Sequence, residues 1–276
     1  MAFSGAKMVE VGTTNKTHLR DYERAITEDT AAIMRVHPSN YKIQGFSSEV
    51  ELEPLVELAH RHDLVMIDDV GAGSLIDFSR FGFEPEPTLP ASVAAGSDIV
   101  TSSGDKLLGG PQSGIILGRK ELIGGVRRNQ FARIVRVGKL TLSALEATLE
   151  LFLDESQALE KVPTLAMVMR SEDDVRDSAE KMHSQLRDQS LAGQFSVEKG
   201  FSQMGSGSLP TQNLPTVVLA IESEKHRAEK LAGLLRRRRV PIFTRISDGR
   251  VLIDPRTLQP GDEEIIIKAL GEILAS

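Results

Sequence analysis

Short apolar runs alternate with helix-like patterns through the first half of the chain. The apolar runs predict strands at residues 7–11, 32–36, 64–68, 98–101 and 114–117. Apolar residues recur at helical spacing at 17–26, 50–62 and 92–95. Parallel strands buried on both faces are apolar along their length and need helical crossovers. The pattern therefore predicts a mainly parallel sheet covered by helices.

The second half predicts a helical connection followed by a smaller unit. Helical spacing covers 140–152 and 172–191, and a Gly/Ser/Pro-rich loop spans 200–215. Beyond it we predict strands at 216–221, 240–244 and 250–253, helices at 223–236 and 262–274, and a hairpin at Asp248-Gly249. We expect a large domain over 1–160, with the helical connection and a small α/β domain over 161–276.

Composition narrows the functional classes. The chain has 276 residues, of which 40% are hydrophobic, and it has no cysteine, so disulfides and thiolate chemistry are excluded. Its apolar runs are short and its N-terminus lacks a signal-peptide core, so we expect a cytoplasmic protein. The six histidines are scattered and predict no metal site.

Charge leaves one local question open. The net charge of −6 argues against a chain whose whole surface binds nucleic acid. The run Arg236-Arg237-Arg238-Arg239 is nevertheless strongly basic. It is either the charged end of a helix, where cations are favoured, or a contact for an RNA backbone or another partner.

One glycine-rich loop carries the main chemical signal. SSGDKLLGGP, residues 102–111, follows an apolar run and presents Lys106, while an earlier strand ends in Asp68-Asp69. A lysine that forms a Schiff base and an acid that keeps the ring nitrogen protonated are the groups that pyridoxal phosphate most needs. Adjacent strand residues face opposite sides, so only one aspartate should face a cofactor, and we favour Asp69 over Asp68. A solvated turn is the alternative for Lys106.

A resemblance to a known family adds to this interpretation. The segments VEVGTTNKTHLRDYERAI, VMIDDVGAGSLIDFSRFG, SSGDKLLGGPQSGIILGRKELI and RVGKLTLSALEATL resemble, in this order, the bacterial selenocysteine synthases, the L-seryl-tRNA(Sec) selenium transferases. The likeness continues through ISDGRVLIDPRTL. It implies an α/β fold of the aminotransferase-like fold type I, with a mostly parallel large domain and a smaller C-terminal domain. Compared with the family, we expect the chain to begin inside the large domain, without the region that supplies much of the phosphate cup and of the tRNA contact.

The resemblance also implies roles for individual residues. Lys106 would hold the cofactor and later move protons at the substrate Cα, and Asp105 would steer that protonation. Ser103 would bind the cofactor phosphate, and a turn serine is the alternative. Arg133 and Arg136, one helical turn apart, match arginines implicated in handling the selenium donor, although glycine at 138 replaces the family's usual aspartate.

A further pair of candidates follows the strand predicted at 32–36. His37 and Asn40 lie where ligands gather in such sheets, and either could contact the cofactor ring or its O3′ hydroxyl. A structural histidine is the alternative for His37.

The implied function is conversion of seryl-tRNA(Sec) to selenocysteyl-tRNA(Sec) in selenocysteine biosynthesis. The expected cofactor is pyridoxal 5′-phosphate and the expected selenium donor is selenophosphate. The reaction would pass through an aminoacrylyl intermediate, to which the selenium is added. The family implies a homo-oligomer. We expect no DNA or membrane partner. Two alternatives stay open: a pyridoxal-phosphate lyase or transferase acting on a small amino compound, and a noncatalytic remnant.

Overall fold

A computed structural model describes residues 4–12, 15–38, 45–204 and 212–275. The chain divides into two compact units: Met1–Val162 with Met204–Gln212, and Pro163–Gln203 with Asn213–Ser276. None of the helices in the described ranges has the length and apolar character that a membrane crossing requires.

The described residues of the first unit form a four-stranded sheet in the order β1-β2-β3-β4. The first three strands are parallel, and β4 is antiparallel to β3. This confirms the predicted mainly parallel sheet and four of its five strands. The fifth prediction, at residues 7–11, is wrong. The bounds are β1 Ala32–Val36, β2 Val65–Gly71, β3 Ile99–Ser103 and β4 Gly114–Gly118.

Two helices cover one face of this sheet. The apolar stripe of α2 packs Leu55, Leu58 and Ala59 against Ile33 and Met66. Leu89 of α3 joins Val70 and Val100 in a second buried cluster. The helices of this unit are α1 Leu19–Ala25, α2 Leu52–Arg61, α3 Leu89–Ala94, α4 Lys120–Arg128, α5 Gln130–Val135, α6 Lys139–Leu151 and α7 Glu155–Lys161.

The second unit contains an antiparallel sheet in the order β5-β6-β8-β7. Its core includes Leu219 of β6, Leu231 and Leu235 of α10, and Leu270 of α11. The strands are β5 Gly193–Gln203, β6 Asn213–Ser223, β7 Arg245–Ser247 and β8 Arg250–Ile253, and the helices are α8 Pro163–Met169, α9 Glu172–Arg187, α10 Ala228–Arg236 and α11 Asp262–Leu274.

The hairpin prediction is confirmed, because β7 and β8 pair across Asp248 and Gly249, both with positive φ. The strand predicted at 240–244 is wrong: the described backbone there forms no ladder, and β7 begins only at Arg245. Pro241 has no N–H to donate, which weakens any ladder at this point. Strand β5 was not predicted, and it ends inside the segment interpreted as a loop.

Candidate active site

The two adjacent aspartates of β2 face opposite sides of the sheet, as alternation along a strand requires. Asp68 is fully buried on the helix-covered face. Its carboxylate accepts two hydrogen bonds from Arg35, at 2.8 and 3.0 Å, and a third from the Ser92 hydroxyl at 2.6 Å. Asp68 is therefore occupied by partners within the fold, and it is not placed to serve as the fallback cofactor ligand.

Asp69 lies on the other, less covered face. It is half-buried and pairs in register with Thr101 of β3, whose hydroxyl donates to Asp69 Oδ1 at 2.7 Å. The described residues donate no hydrogen bond to its second oxygen, Oδ2. Thr101 thus orients the carboxylate while leaving one oxygen available to a ligand.

The loop that carries Lys106 is held firmly at its base. Leu107 and Leu108 are buried, and the Leu107 amide donates to the Ala72 carbonyl at 3.0 Å. Gly104 N–H donates to Ser113 O, and Gly110 N–H donates to Gly104 O, each at 2.9 Å. Lys106 itself is half-buried. The Leu107–Ala72 bond ties this loop to the turn that follows Asp69, so the structure brings the two main candidates to adjacent strand ends.

The turn after Asp69 requires glycine. Gly73 has a φ of +74°, and a Cβ at this position would lie 2.3 Å from the Ser103 carbonyl oxygen. A side chain here would therefore clash with the end of β3 as well as strain the backbone. The absence of that side chain lets the turn lie directly against the strand that leads to Lys106.

Two smaller candidates flank Lys106. Ser103 lies two residues beyond Thr101 on the same face of β3, and it is half-buried. Asp105 is exposed beside Lys106. Ser103, Thr101 and Asp69 thus share one face of the sheet, and the Lys106 loop leaves from its edge.

His37 follows β1, and its amide donates to the Asp69 carbonyl at 3.0 Å. Its ring nitrogen Nε2 lies 3.0 Å from Glu86 Oε2, and both side chains are largely buried. His37 therefore lies next to Asp69 along the sheet, with its ring oriented by Glu86. Asn40, the other candidate of this segment, lies outside the described residues.

Arg133 and Arg136 do not share a helical turn. Arg133 is in the last turn of α5, whereas Arg136 is the C-cap residue with an extended backbone. The predicted helical spacing is therefore wrong, since the helix ends at Val135 before reaching the second arginine. Both side chains are exposed, and neither has an ion-pair partner among the described residues.

Two contributors to the site were missed by sequence reasoning. Thr101 orients Asp69, and Glu86 orients His37. A hydroxyl in the strand next to Asp69 could have suggested Thr101, because parallel neighbours in register present their side chains side by side. No local signal pointed to Glu86, which lies in a proline-punctuated loop far along the chain from His37.

Comparisons with known proteins agree on one family. The sequence profile of L-seryl-tRNA selenium transferase matches residues 1–259. The L-seryl-tRNA(Sec) selenium transferases of Alkaliphilus oremlandii (strain OhILAs) and Clostridium botulinum (strain Loch Maree / Type A3) are 48% and 44% identical to the chain, each over 99% of its length. The chain spans 59% of the length of both relatives.

A solved structure supports the fold. D-glucosaminate-6-phosphate ammonia-lyase matches 98% of this chain and 64% of its own, with a TM-score of 0.62 and 24% sequence identity. The predicted fold class is thereby confirmed.

Proposed function

We propose, because this chain belongs to the L-seryl-tRNA selenium transferase family, that it carries the centre of a pyridoxal-phosphate enzyme converting seryl-tRNA(Sec) to selenocysteyl-tRNA(Sec). The observation that carries the proposal is that Lys106, on an anchored loop, and Asp69, whose carboxylate is oriented from the neighbouring strand, lie at adjacent strand ends. We place the reaction in the cytoplasm, where aminoacylated tRNAs serve translation.

The residues present fit this cofactor. An amine and a carboxylate with one available oxygen lie at adjacent strand ends, and Gly73 keeps the intervening turn free of a side chain. When bound, pyridoxal phosphate supplies an aldehyde for amines and an electron-poor ring that takes up the electron pair released at the substrate Cα.

Lys106 would hold the cofactor through its Nζ and then act as the base and acid at the substrate Cα. The anchoring of Leu107 and Leu108 fixes the backbone on one side of Lys106, which limits the positions its side chain can adopt. Asp105 is exposed beside it and would influence where the proton is returned.

Asp69 would bind the ring nitrogen and keep it protonated. The Thr101 hydroxyl fixes one carboxylate oxygen at 2.7 Å, so the other points in a defined direction. Ser103, on the same face, would donate its hydroxyl to the cofactor phosphate, and His37 would lie against the ring or its O3′ hydroxyl. In each case the side chain acts by binding and orientation.

The selenium donor in this proposal is selenophosphate, a small and strongly charged anion. Arg133 and Arg136 are exposed cations with no partner among the described residues, and guanidinium groups bind phosphate-like anions through paired hydrogen bonds. Arg133 lies in the last turn of α5 and Arg136 at its C-cap, so the two side chains do not project from one helical face. We assign both to binding the anion, each from its own position.

The assembly in this proposal is a homo-oligomer. A group of apolar side chains on and around α5 and α6 is more than half exposed: Phe131, Ile134, Val135, Leu140, Leu142 and Leu153. Exposed apolar patches of this kind mark interaction surfaces. Analytical ultracentrifugation of the parent protein and of Ile134→Glu tests this, and an unchanged sedimentation coefficient in the variant would contradict it.

The proposed reaction is tested by its product. Protein supplied with pyridoxal phosphate is incubated with seryl-tRNA(Sec), labelled in the serine, and selenophosphate, and the amino acid released from the tRNA is identified. We expect selenocysteine from the parent protein and from the exposed-lysine control Lys120→Ala, and none from Lys106→Ala. Unchanged serine, together with ammonia released from free amino acids or amino sugars, would favour the lyase alternative.

A further inference from the structure

Basic residues are concentrated in one segment of the second unit. Residues 225–250 contain nine lysines and arginines against two acidic residues, Glu229 and Asp248, in a chain whose net charge is −6. The segment spans α10, the turn after it and the β7–β8 hairpin. A local excess of this size on an acidic protein marks a surface for a polyanion.

Helix α10 directs its charges outward. Its apolar positions Leu231 and Leu235 are buried in the core of the unit. The exposed cations are Arg227 and Lys230 at its start and Arg236, Arg237 and Arg239 at and beyond its end.

Helix capping accounts for only part of this charge. The favourable field of a helix C-terminus acts within the last turn, which contains Arg236, followed by Arg237 at the C-cap. Arg238 is paired with Glu272 of α11. Arg239 lies beyond the last turn, and within the described ranges no acidic side chain pairs with it or with Arg237. The helix end therefore accounts for Arg237 only through its field, and the fold of this unit supplies no partner among the described residues for Arg239.

An exposed aromatic ring lies among these cations. Phe243 is 76% exposed, and the Arg236 guanidinium carbon lies 5.7 Å from the centre of its ring. Exposing a ring of this size costs stability, since it leaves apolar area in water. Arginines that bind phosphates, combined with aromatic or guanidinium planes on which bases stack, are the features with which proteins bind unpaired RNA.

We propose that the α10 basic surface, defined as Arg227, Lys230, Arg236, Arg237, Arg239 and Phe243, binds RNA, with the arginines on the backbone and an unpaired base stacked on Phe243. The choice of RNA over another polyanion rests on the aromatic ring and on the proposed function, which supplies an RNA substrate. Glu229 and Asp248 are the opposing charges in the segment, and the five exposed cations outnumber them.

Fluorescence anisotropy with a labelled, uncharged tRNA(Sec) transcript tests this, using the full chain at several salt concentrations. The main variant is Arg237→Gln/Arg239→Gln, which removes no side-chain hydrogen bond or ion pair among the described residues. The matched control is Arg187→Gln/Lys268→Gln, which removes the same charge from exposed positions on α9 and α11. Thermal melts establish that both variants are folded.

The two kinds of contact have different signatures. Each phosphate contact contributes about 0.9 to the slope of log affinity against log salt, which amounts to roughly tenfold in affinity at about 0.1 M salt. The variant removes two such contacts, so we expect it to lose roughly sixtyfold to a hundredfold in affinity at about 0.1 M salt and roughly 1.8 in slope relative to the control pair. Phe243→Ala should lose about fivefold or more at every salt concentration without changing the slope.

Binding to phosphatidylserine vesicles is measured in parallel, because a basic surface could also bind an anionic membrane. Three results would overturn the inference. They are no RNA binding by the parent protein at low salt, equal slopes in the arginine variant and the control pair, or an arginine variant that loses vesicle binding while its RNA binding is unchanged. Failure here is distinguishable from failure of the proposed function. Cofactor attachment at Lys106 is read separately by reductive labelling, so either result can stand without the other.

Discussion

The two faces of β2 put the same side chain to different uses. On the covered face, Asp68 is fully buried and satisfied by Arg35 and Ser92, so its charge serves the architecture. On the other face, Asp69 accepts one hydrogen bond from Thr101 and keeps an oxygen available. Consecutive identical residues are separated in role by strand alternation and by what covers each face. A sequence motif such as Asp-Asp therefore becomes interpretable only when the covered face is known.

The largest expected effect is on turnover, which should depend on Asp69 more than on Asp68. Asp69→Asn keeps the size of the side chain and an oxygen for Thr101 but loses the negative charge, so we expect turnover to fall by about a hundredfold or more. The thermal midpoint should change little. Steady-state kinetics and thermal melts of Asp69→Asn and Asp68→Asn, measured side by side, check this. Equal activity losses with equal stability losses would show that the two faces are not functionally distinct.

The free energy of unfolding should depend on Asp68 more than on Asp69. Asp68→Ala leaves the Arg35 guanidinium without its buried partner, and we expect unfolding to become easier by about 3 kcal/mol. Ser92→Ala, which removes only one hydrogen bond to the same carboxylate, should cost about 1 kcal/mol. Urea unfolding measures both. A loss below about 1 kcal/mol for Asp68→Ala would contradict an architectural role.

A glycine pair tests the close approach between the turn and β3. Gly73 and Gly82 both have positive φ, but a Cβ at Gly82 would meet no atom within 4 Å, whereas at Gly73 it would meet the Ser103 carbonyl. Alanine at either position costs about 1 kcal/mol through backbone strain. We expect Gly73→Ala to cost about 2 kcal/mol more because of the clash, and also to weaken cofactor binding. Similar unfolding free energies for the two variants would show that the turn has room.

The smallest expected effect concerns a third aspartate, at the start of β3. Burial raises the pKa of Asp98, but hydrogen bonds from the Met66 amide, Arg119 and His60 outweigh it, so its pKa lies below the ordinary value. A carboxyl with a depressed folded pKa contributes stability above its unfolded pKa, about 3.9, and that contribution is lost as the pH falls through the folded pKa.

Urea unfolding at a series of pH values checks this. The difference in unfolding free energy between the parent protein and Asp98→Asn should be constant near neutrality and should narrow below about pH 4. A difference that stays constant down to about pH 3 would show that Asp98 is not stabilised in its charged form.

The sequence was most informative where burial and periodicity agree. Helix α2 and strands β1 to β3 were predictable because apolar positions in each of them face a core. Strand β4 was predictable from its apolar composition alone, since Ile116 and Leu117 are exposed. Strand β5 was not, since residues such as Glu198 and Lys199 interrupt its apolar pattern and an eleven-residue ladder with β6 stabilises it. Residues 7–11 have strand-like composition, but Met8 and Val9 are exposed and have no neighbouring strand among the described residues.

The residues of the site also differ in how far the sequence could predict them. Lys106 and Asp69 could be proposed from loop chemistry and strand position, and the family resemblance sharpened both. Thr101 and Glu86 could not, because their contribution depends on register and on a loop that returns from elsewhere in the chain. The arginine pair at 133 and 136 shows the converse, since i, i+3 spacing has meaning only if the helix continues through both residues.

Reductive labelling tests the central claim most directly. The protein is mixed with pyridoxal phosphate, reduced with borohydride, digested and analysed by mass spectrometry to locate any pyridoxyl group. The account predicts one dominant label on Lys106, absent from Lys106→Ala and retained in Lys120→Ala. A dominant label on another lysine, or no site-specific label in the parent protein, would contradict it.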